Sequence, residues 1–389
     1  MKILQYRIVY NLTRVAELWE RCGRDSQSDT VHFGDPQWLL ECFYDDRRQL
    51  EVCFVEHEGA IVGVAPFAVQ SIPLKFQIGP VALGTMGLRR LRLLGGAPKF
   101  PDEAAAVDAL FRELLQRRDF DVIWIETLRA DSFIWSHLRT SPLVRQHFQL
   151  YRARGPVARP YINLRGSFKE YMGKFSPKTR ETWRRRVKKL RTLGALDVAR
   201  VSGVDDVESF VAIATKISRT TYQFRRLGLG LRDDDGIQRR LRLAAERGWL
   251  RSYLLSCGGK ACCFMVGYQF RGRFYYADVG YDPAWRKWSV GTVLLLHVIE
   301  DLFSHDRPDT LDFGAGGEYK RHFGNDSYQE VEVFLFRRRV YPLTVAIVQR
   351  ATDGVGAAIG RATGTLGLKS RLQRWLRGRA DRVEEQRPE

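Results

Sequence analysis

Residues 274–324 read FYYADVGYDPAWRKWSVGTVLLLHVIEDLFSHDRPDTLDFGAGGEYKRHFG. The aromatic and β-branched run Phe274–Tyr281 predicts a strand. Asp282–Gly291 holds Pro283, Arg286 and Lys287 and predicts a basic, glycine-ended loop. Thr292–Phe303 is apolar over a helical length, and Thr310–Gly314 predicts a short strand before Glu318-Tyr319-Lys320. Such a loop, with a helix starting at a strand end, can hold a pyrophosphate. Helix-terminal N–H groups lack internal acceptors, and the macrodipole favours an anion there. Arg286 and Lys287 would add charge, Gly291 would let the backbone approach, and Thr292 would begin the helix. The chain has no Walker lysine motif and no GxGxxG, which speaks against a nucleotide hydrolase or a Rossmann domain.

Working outward, the pattern occurs twice. Residues 50–70, LEVCFVEHEGAIVGVAPFAVQ, match residues 250–270, LRSYLLSCGGKACCFMVGYQF, at an offset of about 200 residues. Each reads as a hairpin, turning at Glu58-Gly59-Ala60 or at Gly258-Gly259-Lys260. A helix over 103–118, with Val107, Leu110, Phe111, Leu114 and Leu115 at helical spacing, precedes Phe120–Glu126. Val293–Phe303 likewise precedes Pro308–Phe313. In the first half, Gly95-Gly96-Ala97-Pro98-Lys99-Phe100 stands where the second half has its arginine-bearing loop. These repeats predict an α/β fold of two tandem domains, 1–157 and 158–338, followed by a basic helical tail, 339–389.

Between the copies lies a basic helix. Ser176 is its expected N-cap, Pro177 lies in its first turn, and Gly194 is placed to end it. Trp183, Val187 and Leu190 form its apolar stripe. Lys178, Arg180, Arg184, Arg185, Arg186, Lys188, Lys189 and Arg191 surround that stripe, opposed only by Glu181. Three readings remain open: a solvated face, a dock for an anionic acceptor or cofactor phosphate, or a ridge that tracks tRNA phosphates. Further helices are expected over 207–219 and 237–246, with a surface loop or lid over 225–235.

The chain has 389 residues, 44% hydrophobic and 12% aromatic, and carries a net charge of +18. A cationic surface of this size attracts anions: nucleotide phosphates, tRNA, acidic glycans or lipid head groups. Six scattered cysteines without CxxC fit a reducing cytoplasm, and the opening MKILQYRIVYNL reads as a strand rather than a signal peptide. No stretch reaches the ~18 to 20 apolar residues of a membrane span. Seven histidines show no HExxH or HxxxH, so no metal is expected, and no GxSxG marks a serine nucleophile. The arginine-rich tail around Leu372, Trp375 and Leu376 adds an anionic membrane as a candidate peripheral partner, at the inner membrane of a cytoplasmic protein.

The stretch 274–324 resembles the acyl-CoA-binding core of GNAT acetyltransferases. Arg286-Lys287-Trp288-Ser289-Val290-Gly291 is similar to that superfamily's loop, with Val290-Gly291 where relatives often carry Pro-Gly. Together with the Ser-Pro-Lys-x-Arg helix and Asp312-Phe313-Gly314…Glu318-Tyr319-Lys320, the pattern resembles the CelD/BcsL-like acetyltransferases of cellulose biosynthesis, relatives of the FemAB transferases. The resemblance covers residues 160–325 well, and the first half as a degenerate repeat. It implies two central strands that splay apart, with acetyl-CoA or another acyl-CoA lying against Ala277–Tyr281. Val279, Tyr281, Arg286, Lys287, Ser289, Val290, Gly291 and Thr292 would bind it. Asp278 and Glu318 would be candidate bases and Tyr319 the acid toward the leaving thiolate. Asp312, Lys320, Arg180 and Arg184 would contact the acceptor. The implied reaction transfers an acyl group to an amine or hydroxyl of a sugar, polysaccharide precursor or other small acceptor. The alternatives are a FemAB-like transferase using aminoacyl-tRNA and a non-catalytic accessory of exopolysaccharide synthesis.

Overall fold

A computed structural model describes residues 1–23, 35–43, 48–78, 81–95, 98–152, 154–221, 224, 230–232, 234–314 and 317–365. Most of the expected 225–235 loop, Gly96, Ala97, Gly316 and the Leu372/Trp375/Leu376 tail lie outside these residues.

Thirteen strands form one mixed sheet: β1 (Lys2–Arg7), β2 (Leu50–His57), β3 (Ala60–Ile78), β4 (Val81–Leu93), β5 (Val122–Arg129), β6 (Phe148–Tyr151), β7 (Val157–Asn163), β8 (Leu196–Val201), β9 (Ser252–Cys257), β10 (Lys260–Phe270), β11 (Arg273–Tyr281), β12 (Thr310–Asp312) and β13 (Asp326–Arg337). Two half-sheets repeat one design. β1 to β4 are antiparallel neighbours, and β5 then joins β4 in parallel. β8 to β11 do the same, and β12 joins β11 in parallel. A parallel pair needs a crossover, which the helices Ala104–Gln116 and Val290–Ser304 provide. In both hairpins the two turn residues take left-handed backbone: Glu58 (φ 50°) and Gly59 (81°), and Gly258 (57°) and Gly259 (74°). Such turns match the twist of the strands they join.

The halves meet through exchanged strands. β7 pairs with β12, β13 pairs with β5, and β7 and β13 pair with each other, all antiparallel. A side chain also crosses: Trp38, on the helix Pro36–Cys42, is buried against Trp249 and Tyr268 at centroid distances of 5.8 and 5.0 Å. Ion pairs Arg247–Asp35 (2.8 Å) and Arg239–Glu41 (3.1 Å) flank it.

Each half buries both sheet faces. In the second half, one core lies under the helices Phe168–Gly173, Pro177–Arg191 and Val290–Ser304. The other lies under Val207–Thr220 and Asp235–Glu246. Full burial of each Leu, Val or Phe contributes roughly 1.5–3 kcal/mol, so these faces fix where helix 290–304 sits. Its carboxyl end is tied down as well. Arg251, 1% exposed, donates to the carbonyls of Asp301, His305 and Asp306 and to the Asp301 carboxylate at 2.7 Å. A buried cation at that end complements the helix dipole. No helix among the described residues is long and apolar enough to cross a membrane.

Candidate active site

β11 and β12 pair over only three residues, Arg273–Tyr275 against Thr310–Asp312. β12 then stops: the Asp312 carboxylate accepts the Gly314 amide at 2.7 Å, and Gly314 (φ 64°) turns the chain away. β11 continues to Tyr281, bonded on one side only, to β10. Its other edge is open from Tyr276 onward, at the carboxyl end of a parallel pair, where open α/β sheets take their ligands.

A bulge marks the same place. Met265 faces Val279 and Gly267 faces Tyr276, so Ala277 and Asp278 together sit opposite Val266. The extra residue reverses the alternation of side chains. Tyr276 joins the core under helix 290–304, whereas Val266 belongs to the core under helices 207–220 and 235–246. Asp278 is thereby turned to the second face, where Arg240 Nη2 lies 4.0 Å from its carboxylate. The Arg240 guanidinium is held more basic than usual, first by the Tyr268 phenol and also by Cys42 and Asp278. Val279 and Tyr281 return to the first face, 43% and 39% exposed, and give the open edge an apolar surface.

The expected loop after β11 is mostly helical. Asp282 accepts the Ala284 amide at 3.0 Å, Pro283 opens a 3-10 helix to Trp288, and Ser289 adopts left-handed backbone (φ 55°). The next helix starts at Val290, two residues before the expected Thr292. The Ser289, Thr292 and Val293 amides bond to the carbonyls of Arg286, Ser289 and Ser289. Val290 and Gly291 remain as the first residues of a 15-residue helix, whose leading amides have no acceptor within it. Gly291 needs no unusual backbone, and a Cβ there would meet only the Tyr281 ring at 3.8 Å. Among the described residues nothing demands glycine at this position.

The basic helix spans the same face. Near its middle Trp183 stacks on Phe323 at 5.4 Å, and near its carboxyl end Lys189 lies 5.4 Å from the Trp288 ring. Lys287 covers the Trp288 ring too, at 4.8 Å. Ser176 caps the helix through the Thr179 amide at 3.2 Å, and Trp183 and Leu190 are buried, as the stripe predicts. Arg180 reaches the Met172 carbonyl (3.4 Å), while Arg184 is exposed beside Glu181 (3.9 Å). Arg286 stands exposed on the 3-10 turn.

Where β12 ends, the helix Glu318–Phe323 brings its residues to Tyr276. Tyr319 Oη lies 3.5 Å from Tyr276 Oη, longer than the ~2.5–3.0 Å of a full hydroxyl contact. Burial pushes both phenols above the ordinary value, so each keeps its proton; for Tyr319, Tyr276 pulls weakly the other way. Lys320 donates to the Phe313 carbonyl at 2.6 Å, and burial, then Arg159, lowers its pKa. Asp312 is buried and receives Arg273 (3.3 Å) and the Tyr328 hydroxyl (3.2 Å), a set that braces the strand end. Glu318 is exposed and has no hydrogen bond among the described residues. Tyr319, Lys320, Val279, Tyr281 and the 286–292 turn thus share one face, and Asp278 lies on the other. Tyr276 and Arg240 were not anticipated. The alternation of Phe274 and Tyr276 was the available signal for Tyr276, and Arg240 had none. No group of three or more His, Cys, Asp or Glu among the described residues could hold a metal.

Residues 177–328 match the family described as acetyltransferase (GNAT) domain. No curated protein matches the chain. Among solved structures, FemX is similar with a TM-score of 0.58 at 12% identity, covering 90% of this chain and 100% of that one. L-PGS from Bacillus licheniformis is similar with a TM-score of 0.52 at 11% identity, covering 87% and 96%. At such identities the likeness is one of fold. Residues 177–328 are therefore similar to a GNAT acetyltransferase domain, within a fold like that of FemX.

Proposed function

We propose that the second half is an acyl-CoA-dependent N-acyltransferase. The supporting observation is the open edge of β11 from Tyr276 to Tyr281, ending beside the amino end of helix 290–304. In this reading the Val290 and Gly291 amides, with Arg286 and Lys287, hold the donor's diphosphate. The exposed rings and methyls of Tyr281 and Val279 lie along its apolar arm. The acceptor amine attacks the thioester carbonyl, the carbon–sulfur bond breaks, and Tyr319 gives its proton to the departing thiolate. Glu318, exposed next to Tyr319 in the chain, takes the amine's proton, and Asp278 serves only through water from the other side. Lys320 and Asp312 border the acceptor's position, with Arg180 and Arg184 further along the basic helix. The acceptor in this reading is an amine or hydroxyl of a sugar, a polysaccharide precursor or another small molecule, as the resemblance to cellulose-biosynthesis acetyltransferases implies. Acetyl-CoA at 100 times its Kd should add about 2.7 kcal/mol of stability, seen as a raised Tm. Gly291→Asp should abolish that rise without lowering the unliganded Tm. If acetyl-, malonyl- and long-chain acyl-CoA all leave the native Tm unmoved, the acyl-CoA donor is wrong.

A second reading, an aminoacyl-tRNA donor, is supported by the basic helix lying along the same face. It requires salt-sensitive tRNA binding that Arg184→Glu with Lys188→Glu weakens. Absence of binding at low salt removes it.

A further inference from the structure

Two lysines from separate elements meet on one ring. Trp288 ends the 3-10 turn Pro283–Trp288, and its half-buried indole packs against the core under helix 290–304. Lys287, its neighbour in the turn, lies 4.8 Å from the ring centroid. Lys189, in the last turn of the helix Pro177–Arg191, lies 5.4 Å from the same centroid. Both lysines are exposed, and neither has a carboxylate partner among the described residues. Arg184 and Arg185, earlier on the same helix, have Glu181 at 3.9 and 3.8 Å.

An indole attracts a cation through its ring quadrupole, but a second cation at the same ring sets two like charges against each other. An anion laid beside the ring relieves that repulsion. Because the core fixes the indole, both ammonium groups are held in place before a ligand arrives, and binding costs little side-chain freedom.

The position narrows the choice of anion. Lys287 lies three residues before Val290, whose amide opens the helix assigned above to the donor's diphosphate. In CoA the 3′-phosphate sits on the ribose whose 5′-oxygen carries that diphosphate, so it has to lie within one sugar of this turn. A phosphate monoester carries about −1.5 to −2 charge at neutral pH, a match for two ammonium groups. Resting on the acyl-CoA reading, we infer that Lys189 selects donors that bear a 3′-phosphate. Trp288 positions Lys189, and Lys287 is shared between that phosphate and the diphosphate.

The test is calorimetric titration of the full chain with acetyl-CoA and with acetyl-dephospho-CoA, which differ only in the 3′-phosphate. The native chain should bind acetyl-CoA about tenfold more tightly, a preference that shrinks as salt is raised. Lys189→Gln should cut the preference about threefold or more by weakening acetyl-CoA alone, and Lys189→Arg should keep most of it. Lys75→Gln, which removes the same charge from an exposed position on β3, should leave it intact. Equal binding of the two donors by the native chain overturns the inference and leaves the acyl-CoA reading standing, as does an unchanged preference in Lys189→Gln. Binding of neither donor overturns both. Weakened tRNA binding in Lys189→Gln, with acetyl-CoA binding unaltered, gives the lysine to a nucleic-acid backbone and also overturns the inference.

Discussion

The two halves share a strand order and differ where their parallel strands meet. In the first half β4 pairs with β5 over its last four residues, Arg90–Leu93, and ends with that pairing. In the second, β11 pairs over its first three residues and runs six further, unaccompanied by β12. The unpaired length of β4 thus precedes the parallel contact, and that of β11 follows it, at the end where a crossover helix points its amides. The segments after these strands differ in the same sense. Lys99 bonds through both its amide and its carbonyl to Val64 of β3, and the Phe100 ring covers Gly63 too closely for any Cβ there. Residues 282–289 instead coil into a short helix that stands off the sheet with Arg286 and Lys287 exposed. One design can therefore be closed or open depending on where a parallel contact falls along a strand.

The largest effect that would sharpen this contrast is chemical. Tyr319→Phe should lower turnover about 10²–10⁴-fold with little change in Tm. Because burial raises the Tyr319 phenol, an alkaline limb of the kcat profile due to it must lie above the ordinary phenol value of 10.0. Any limb nearer neutrality should survive in the variant. Wild-type turnover by Tyr319→Phe would break the assignment of chemistry to the open half. A smaller effect is expected in the closed half: Phe100→Ala should cost about 2 kcal/mol, less than a fully buried ring because Phe100 is half-buried. It should leave the stabilisation by acetyl-CoA intact. A lost acetyl-CoA response in that variant would show that the first half also takes part in donor binding.

What was readable in the sequence was what local chemistry decides. The Gly59 and Gly258-Gly259 turns require backbone that glycine supplies, and Ser176-Pro177 supplies both cap and first turn of the basic helix. The apolar run of helix 290–304 marked its existence but not its start, because Ser289 rather than a glycine takes the left-handed step. Asp282-Pro283 is itself a helix-opening signal, since the Asp282 carboxylate accepts the Ala284 amide and Pro283 opens the 3-10 turn. The bulge at Ala277–Asp278 was not readable: it exists only through register with β10, a partner whose pairing no local spacing reveals. Hence Asp278 and Tyr319, grouped by pattern, stand on opposite faces, and Tyr276 took the place beside Tyr319. The exchange of β7 and β13 was equally hidden, since it joins residues more than 160 apart in the chain.

That exchange has a mechanical consequence. The hydrogen-bonded ladder runs from β1 to β8 without a break, and β13 carries it across the midline by bonding to both β5 and β7. Two lobes joined in this way have no hinge, so they cannot clap shut over a guest as separately mounted jaws do. Whatever admits and releases a ligand has to be a segment outside the ladder, and among the described residues the short turn 282–289 and the helix 318–323 border the opening.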